Sequence, residues 1–462
     1  MTESTYRDWL ELSLAQQAIW LESKLNPESA LQLGGWAKIV GELDEAIVRQ
    51  AVSLVMARHD ALRLRADEEH PRQWLENSSE PPFSVGVLPD AFDQDAAFQD
   101  YLQDEFKRPM PLGDHSLFSI SLLKGRDGQS YMLWRFHHLI ADSVSTTMAM
   151  RHWTEAYLAL TSDTPPELAP RSSYQSVIDA DMEYLRSQNY KQDLDYWMRR
   201  FDPLPPLFID ASRRRQNSVS ASLFYQDWCL QGEDWVGLQQ FSNQCVTTPI
   251  RALFALFALV IALQFGEFDT VSGIALHRRD RSTWRALGVF SGVIPVRFRF
   301  SRSGGLIQSV KDFSGQIDKD LRHQRMPVDN LARHLQLFRQ GRSRLFDVVM
   351  SYLPSDRVNN ELLTEEFPVT SDTVSVPEAS PISLHLTELV HGVGLQVRIA
   401  TNPSVLTGTT ARNLLSQLQT VERHTVAHPS DDIENLLVLL TKDHAIVEGK
   451  GYTDDDREEW II

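Results

Sequence analysis

The sequence predicts a mixed α/β (α+β) fold on three observations. Short aromatic and β-branched runs alternate with helical patterns in both halves of the chain. The longest apolar run, Ala252 to Leu263, has the length of a buried helix rather than a strand. One Pro- and Ser-rich stretch, residues 162–173, follows a helical pattern and reads as a linker. Strands mixed with helices on both sides of such a linker favour α/β or α+β lobes over an all-α bundle or a sandwich. At 462 residues the chain is too long for one ordinary core. We therefore expect an N-terminal lobe over 1–173, a C-terminal lobe over 174–440 and an acidic tail over 441–462. No internal repeat is visible.

The N-terminal half carries the most informative stretch. Tyr131-Met132-Leu133-Trp134-Arg135-Phe136 is short and aromatic-rich, as strands are, and it runs into His137-His138-Leu139-Ile140-Ala141-Asp142. Period-2 alternation puts His138 on the face of Met132, Trp134 and Phe136, and His137 on the opposite face. Downstream, Met150, Trp153, Tyr157 and Leu160 recur at helical spacing, with Asp142, Ser143 and Ser145 offering N-cap oxygens. His138 thus falls at an element boundary, where a side chain can meet substrate. His137 is read as held inside, because a lone buried histidine is more often a satisfied core group than a catalyst.

Beyond the linker, a helix through Ala252 to Gln264 leads to a strand at Thr270 to Leu276. Further strands are expected at Val293 to Phe300, Phe346 to Tyr352, Ile382 to Leu389 and Val393 to Ala400. The last helical pattern ends near Leu440. After it come Asp454-Asp455-Asp456-Arg457-Glu458-Glu459 and Trp460-Ile461-Ile462. No further module fits there, so the chain reads as freestanding.

Composition bounds the function. The net charge of −17 argues against nucleic acid, since phosphate binding calls for positive surface. Two cysteines, Cys229 and Cys245, make neither a disulfide framework nor a metal set and fit a reducing cytosol. No metal is expected. Residues 1–8 lack a signal pattern, and Ala252 to Leu263 is too short to span a bilayer. A soluble, cytoplasmic, monomeric protein with no membrane partner is the expectation.

Six stretches, in order, resemble the core elements of nonribosomal peptide synthetase condensation domains. The histidine core resembles HHxxxDG. Ser13 to Trp20 is similar to the SxAQxxxW element, and Arg58 to Arg63 to RHExLR. Leu287 to Arg297 is similar to IGxFVNTLPLR, His323 to Asp329 to HQxxPFE, and Ser343 to Val348 to SRxPLFxV. The resemblance spans roughly residues 8 to 440. It implies two chloramphenicol-acetyltransferase-like lobes forming a V-shaped pseudo-dimer, with the site on a channel between them. It also implies that Asp142 pairs with an arginine of the opposite lobe. Alignment of Gly273 to Arg279 with a GxxxxGR stretch gives Arg279, with Arg278 one slip away. A helix-capping role for Asp142 stays open beside that pair. The sequence departs from the pattern at Ser143, where the family has glycine, and at Gly292 and Val293, where it has asparagine and threonine. Ser143, Ser291 and Gly292 are therefore the residues expected to line the substrate channel.

The chemistry implied is attack of an amine or hydroxyl on an acyl thioester. Histidine suits it, because its unperturbed pKa lies near neutrality. His138 can serve as general base or as a positioning group. No serine elbow or reactive cysteine constellation is visible, so direct transfer is the simpler reading. The implied donor arrives on the phosphopantetheine of an acyl or peptidyl carrier protein, with no permanently bound cofactor, and the acceptor is a small amine or alcohol. Acidic carriers would need local basic patches. The candidates are Arg213-Arg214-Arg215, the group Arg339, Arg342 and Arg344, and Arg322 with Arg325. Alternatives are an acyl-coenzyme A-dependent transferase, an epimerase and a noncatalytic carrier-recruiting module, the last disfavoured by the intact His138 and Asp142.

Overall fold

The strand carrying the first histidine runs over Ser130–His137 and is the middle strand of a five-stranded sheet. The order is Val369–Thr373, Gln32–Ile39, Ser130–His137, Phe118–Lys124, Phe83–Val87. All neighbours are antiparallel except the last pair. The computed structural model describes residues 7–448 apart from 26–30, 78–79, 89–94, 126–127, 163, 166–172, 210–224, 282, 355–368, 374–379, 390–391, 403–404 and 407. Alternation along the central strand buries both of its faces. Met132 and Phe136 join the large core with Val48, Val52 and Val55 of the Glu45–Arg58 helix and Ala149, Met150 and Trp153 of the Ser143–Thr161 helix. Tyr131 and Leu133 join a smaller cluster with Leu88, Phe98 and Leu102. Each fully buried aromatic or aliphatic side chain contributes about 1.5–3 kcal/mol, so the strand end that bears the histidines is fixed from two sides.

The chain divides into two compact units, and the division differs from the expected boundary at 173/174. The first unit comprises Met1–Leu194, Leu276–Val293 and Leu353–Ala379; the second comprises Asp195–Ala275, Ile294–Tyr352 and Ser380–Ile462. Side-chain burial explains one later excursion and strand pairing the other. Ala286, Leu287 and Phe290 are buried in the first unit's core, and the Val369–Thr373 strand extends its sheet beside Gln32–Ile39. The helices Gln175–Arg186 and most of Gln188–Arg200 likewise fall before Asp195. The described part of the predicted linker therefore lies within the first unit.

The second unit is built on a six-stranded mixed sheet, ordered Ser291–Arg299, Asp269–His277, Val348–Leu353, Ile382–Glu388, Gly394–Thr401, Tyr225–Gln231. Its core helix is Pro249–Phe265, in which every residue from Ala252 to Leu263 is buried, as a helix apolar all round requires. Thr248 caps its start by accepting from the Arg251 amide at 3.3 Å, Pro249 takes the first turn, and Gly266 at φ 68° ends it. The final helix runs over Ile433–Glu448, past the expected end near Leu440. The remainder of the expected tail lies outside the described residues.

Candidate active site

The histidine turn is held by the sheet on one side and by a polar cluster on the other. The His137 amide donates to the Leu117 carbonyl and the His138 amide to the Leu31 carbonyl, both at 2.7 Å, so the strand pairing reaches past its last residue. The chain then turns, with the Ile140 amide donating to the His137 carbonyl at 3.0 Å. The Leu139 amide donates to His137 Nδ1, also at 3.0 Å. Nδ1 of His137 must therefore be unprotonated, which assigns its hydrogen to Nε2. Burial, and then the neighbouring His138, lower the pKa of His137 to about 4. His137 is thus a neutral scaffold group.

His138 differs in both exposure and tautomer. It is half-buried, and its Nδ1 lies 2.9 Å from the Ala141 carbonyl oxygen. A carbonyl only accepts, so Nδ1 carries a hydrogen, and in the neutral imidazole the lone pair is on Nε2. No hydrogen bond from a described residue reaches Nε2. The turn thereby presents a basic nitrogen in one orientation. Gln16 pins the next residue, its Nε2 donating to the Leu139 carbonyl at 3.0 Å. Gln16 and Gln73 also exchange side-chain amide hydrogen bonds at 2.9 and 2.8 Å, fully buried.

Asp142 is both cap and ion-pair partner, so the two roles left open by the sequence coexist. Oδ1 accepts from the Ser145 amide at 2.8 Å, capping the Ser143–Thr161 helix. The same oxygen accepts from Arg279 Nη2 at 2.9 Å, with side chains 1% and 0% exposed. Oδ2 accepts from the amides of Phe290 and Ser291 at 3.0 and 3.2 Å. Burial alone would raise the Asp142 pKa. The charge and hydrogen bond of Arg279, with the Phe290 and Ser145 amides, override it and hold the carboxyl below its ordinary value. Arg279 is itself fixed through Nη1 to the carbonyls of Thr283 and Ala286, at 2.9 and 2.6 Å, and lies 4.3 Å from the Phe290 ring centroid. Arg279 was expected on the other lobe. Instead its segment, Leu276–Val293, packs within the first unit, because these hydrogen bonds and the burial of Leu287 and Phe290 hold it there.

Three further residues complete the cluster, and no periodic pattern in the sequence marks them as one. Ser145 Oγ accepts from Arg279 Nη2 at 2.6 Å and donates to the Gly288 carbonyl at 2.6 Å. The Tyr174 hydroxyl donates to the Val289 carbonyl at 3.2 Å and lies 3.3 Å from Ser13 Oγ. Gly288 has φ +152°, and a Cβ there would stand 2.5 Å from the Tyr174 ring, so only glycine fits.

Of the residues expected to line the channel, Ser143 is exposed at the first turn of its helix, while Ser291 and Gly292 are half-buried. Ser143 has no positive φ, so a side chain is tolerated there without strain. A Cβ on Gly292 would lie 2.3 Å from Arg278 Cζ, so the Arg278 guanidinium fills that place.

The basic patches fare differently. Arg342 donates to the Pro205 carbonyl at 2.6 Å and Arg344 to Asp347 at 2.6 Å, so these two hold the fold rather than offer free charge. Arg322, Arg325 and Arg339 are exposed. Arg213-Arg214-Arg215 lies outside the described residues. Among the described residues no group of three or more metal-ligating side chains occurs, and no single helix is long and apolar enough to cross a membrane.

The chain in two units thus carries, at a strand-to-helix turn, His-His-x-x-x-Asp with an arginine sealing the aspartate. A family model described as the condensation domain matches residues 6–446, and the chain belongs to that family. It is 24% identical over 465 residues to surfactin synthase subunit 1 of Bacillus subtilis (strain 168), covering 98% of this chain and 13% of the relative. The chain thus spans a small part of the curated relatives it matches. Among solved structures it is similar to the starter condensation domain of rhizomide synthetase, a variant solved with C8-CoA. There the TM-score is 0.79 at 22% identity, over 92% of this chain and 96% of that one. It is also similar to the first condensation domain of the calcium-dependent antibiotic synthetase, solved with a substrate analogue. That match has TM-score 0.78 at 21% identity, over 94% and 99%. These likenesses show the two-lobe, chloramphenicol-acetyltransferase-like fold. Condensation domains are acyltransferases that work with carrier proteins and acceptor substrates, in natural-product synthesis.

Proposed function

We propose that this chain forms an amide or ester bond by moving an acyl group from a carrier-protein phosphopantetheine thioester to an amine or hydroxyl. The observation that carries the reading is His138: half-buried at a strand-to-helix turn, with Nδ1 committed to the Ala141 carbonyl and the lone pair left on Nε2. In the step proposed, the acceptor nitrogen or oxygen attacks the thioester carbonyl as Nε2 takes its proton. The carbon–sulfur bond breaks, and the proton passes to the departing thiolate, giving product and free carrier thiol. Nε2 equally orients an amine that is already unprotonated. Asp142 and Arg279 take no part in the bond changes. They hold the start of the Ser143–Thr161 helix and the Phe290-Ser291 backbone together. Ser143, Ser291 and Gly292 are proposed to border the acyl or acceptor path.

Intact-protein mass spectrometry of an acyl-loaded carrier, incubated with this protein and candidate amines or alcohols, tests the reading. Loss of the acyl mass from the carrier, coupled to a new amide or ester, is the expected result. A second reading is acyl transfer from coenzyme A, which the C8-CoA bound by the rhizomide synthetase starter domain favours. Equal efficiency with bare acyl-coenzyme A would replace the carrier by that donor.

A further inference from the structure

One buried serine joins the His138 turn to a segment 143 residues further along the chain. Ser145 lies in the first turn of the Ser143–Thr161 helix and is 1% exposed. Its Oγ is 2.6 Å from Arg279 Nη2, 3.1 Å from the Gly288 amide and 2.6 Å from the Gly288 carbonyl oxygen. A guanidinium and an amide only donate, and a hydroxyl has two lone pairs and one hydrogen. Both lone pairs are therefore taken, and the hydrogen goes to the Gly288 carbonyl. The hydroxyl has one orientation, and it grips Gly288 by both of its backbone polar groups.

That grip extends to the imidazole. The Gly288 carbonyl also accepts from the Asp142 amide at 3.3 Å. This amide belongs to the Ala141-Asp142 peptide, whose carbonyl oxygen is 2.9 Å from His138 Nδ1. A trans peptide is planar, with its N–H and C=O fixed in opposite directions, so whatever aims the amide also aims the carbonyl. The hydrogen bonds form one chain from the Arg279 guanidinium to the Ser145 hydroxyl, the Gly288 carbonyl, the Ala141-Asp142 peptide and the His138 ring.

We propose that Ser145 is a positioning residue for His138. Through Gly288 and the Ala141-Asp142 peptide, its hydroxyl fixes the orientation of the neutral imidazole and keeps the hydrogen on Nδ1 and the lone pair on Nε2. The effect on turnover rests on the reading of His138 as the group that handles the acceptor. The tautomer is a property of the protein alone and is measured without substrate.

Ser145→Ala leaves Arg279 its bond to Asp142 and releases both polar groups of Gly288 from the hydroxyl. A matched control exists at the far end of the Ser130–His137 strand. Ser130 is also 1% exposed, with Oγ donating to the Gly41 carbonyl at 2.9 Å and accepting from the Leu43 amide at 3.0 Å. Ser130→Ala therefore loses a comparable buried hydroxyl that has no link to His138. The ring nitrogens are followed by NMR at pH 8.5 on protein with 15N-labelled histidines, the signals absent from His138→Ala being those of His138. The wild type and Ser130→Ala should show a single tautomer with the hydrogen on Nδ1, and Ser145→Ala a mixture of both. With loaded carrier and acceptor, kcat of folded Ser145→Ala should fall by about 10-fold or more with KM within about twofold, while Ser130→Ala keeps the wild-type kcat. If Ser145→Ala does not fold, Ser145→Cys, which keeps a weaker donor of similar size, takes its place. A tautomer lost in Ser145→Ala and kept in Ser130→Ala, with no product from the wild type in any acyl-transfer assay, would retain this inference and remove the condensation reading. Product from the wild type, with the tautomer unchanged in Ser145→Ala or equally disturbed in Ser130→Ala, would overturn the inference and leave the condensation reading standing.

Discussion

At the scale of single residues, the site depends on a carboxylate that is expensive to bury and on the groups that offset this. Asp142 accepts four hydrogen bonds, one of them from a guanidinium with no solvent exposure. Removing either partner leaves a buried charge uncompensated, so Asp142→Ala and Arg279→Ala should each destabilise the fold by about 3–5 kcal/mol. The double variant should cost clearly less than the sum. Urea unfolding of the four proteins gives the coupling energy, and strict additivity would contradict the pair. The sequence made His138, Asp142 and Arg279 legible through motif spacing. Ser145 was legible only as a cap candidate, because its bonds to Arg279 and Gly288 join positions more than 130 residues apart. No local period encodes such a pairing.

At the scale of elements, the turn after the Ser130–His137 strand is kept in shape by Gln16, from the Leu14–Leu25 helix. Gln16→Met keeps the length and removes the amide, stranding the buried Leu139 carbonyl and Gln73 Oε1, while Gln73 Nε2 keeps the Glu11 carbonyl. Loss of about 1–3 kcal/mol is expected, seen as a lower melting temperature, with turnover falling further than stability explains. Unchanged melting temperature and turnover would show that the turn holds itself. The strands and the apolar helix were legible because their signals are local. Strands read at 270–276 and 393–400 form over Asp269–His277 and Gly394–Thr401, and the helix read from Ala252 forms over Pro249–Phe265. The boundary between units was not legible. A Pro- and Ser-rich stretch reports local chain flexibility, whereas the return of Leu276–Val293 to the first unit is decided by the burial of Ala286, Leu287 and Phe290 far along the chain.

At the scale of the whole molecule, buried titratable groups give the two units opposite responses to pH. In the first unit, burial and the adjoining charges of His152, Arg285 and Arg58 lower His59 to about 3. Burial with Arg285 and Arg151 lowers His152 to about 4, and His137 is also at about 4. His59 Nε2 and His152 Nδ1 are 3.1 Å apart, with the rings stacked. All three fold as neutral groups, so their stabilisation is complete above their ordinary value of 6.5 and is lost as pH falls toward 4. In the second unit, Glu422 is fully buried, and neither carboxyl oxygen has a hydrogen-bond partner among the described residues. Burial and Asp234 raise its pKa from 4.5 to about 7. Its contribution is complete below 4.5 and is lost as pH rises through 7. Hydrogen exchange followed by mass spectrometry should show the first unit opening on acidification and the second above neutrality, with Glu422→Gln abolishing only the latter. Parallel loss of protection in both units at both extremes would contradict this assignment.

The central claim is that His138 Nε2 handles the acceptor's proton or position during acyl transfer. Single-turnover loss of acyl mass from a loaded carrier, measured for the wild type and for His138→Ala at matched melting temperature, tests it most directly. The account predicts a rate lower by at least about 10²-fold in His138→Ala, with the fold intact. A folded His138→Ala protein that transfers the acyl group at the wild-type rate would contradict it.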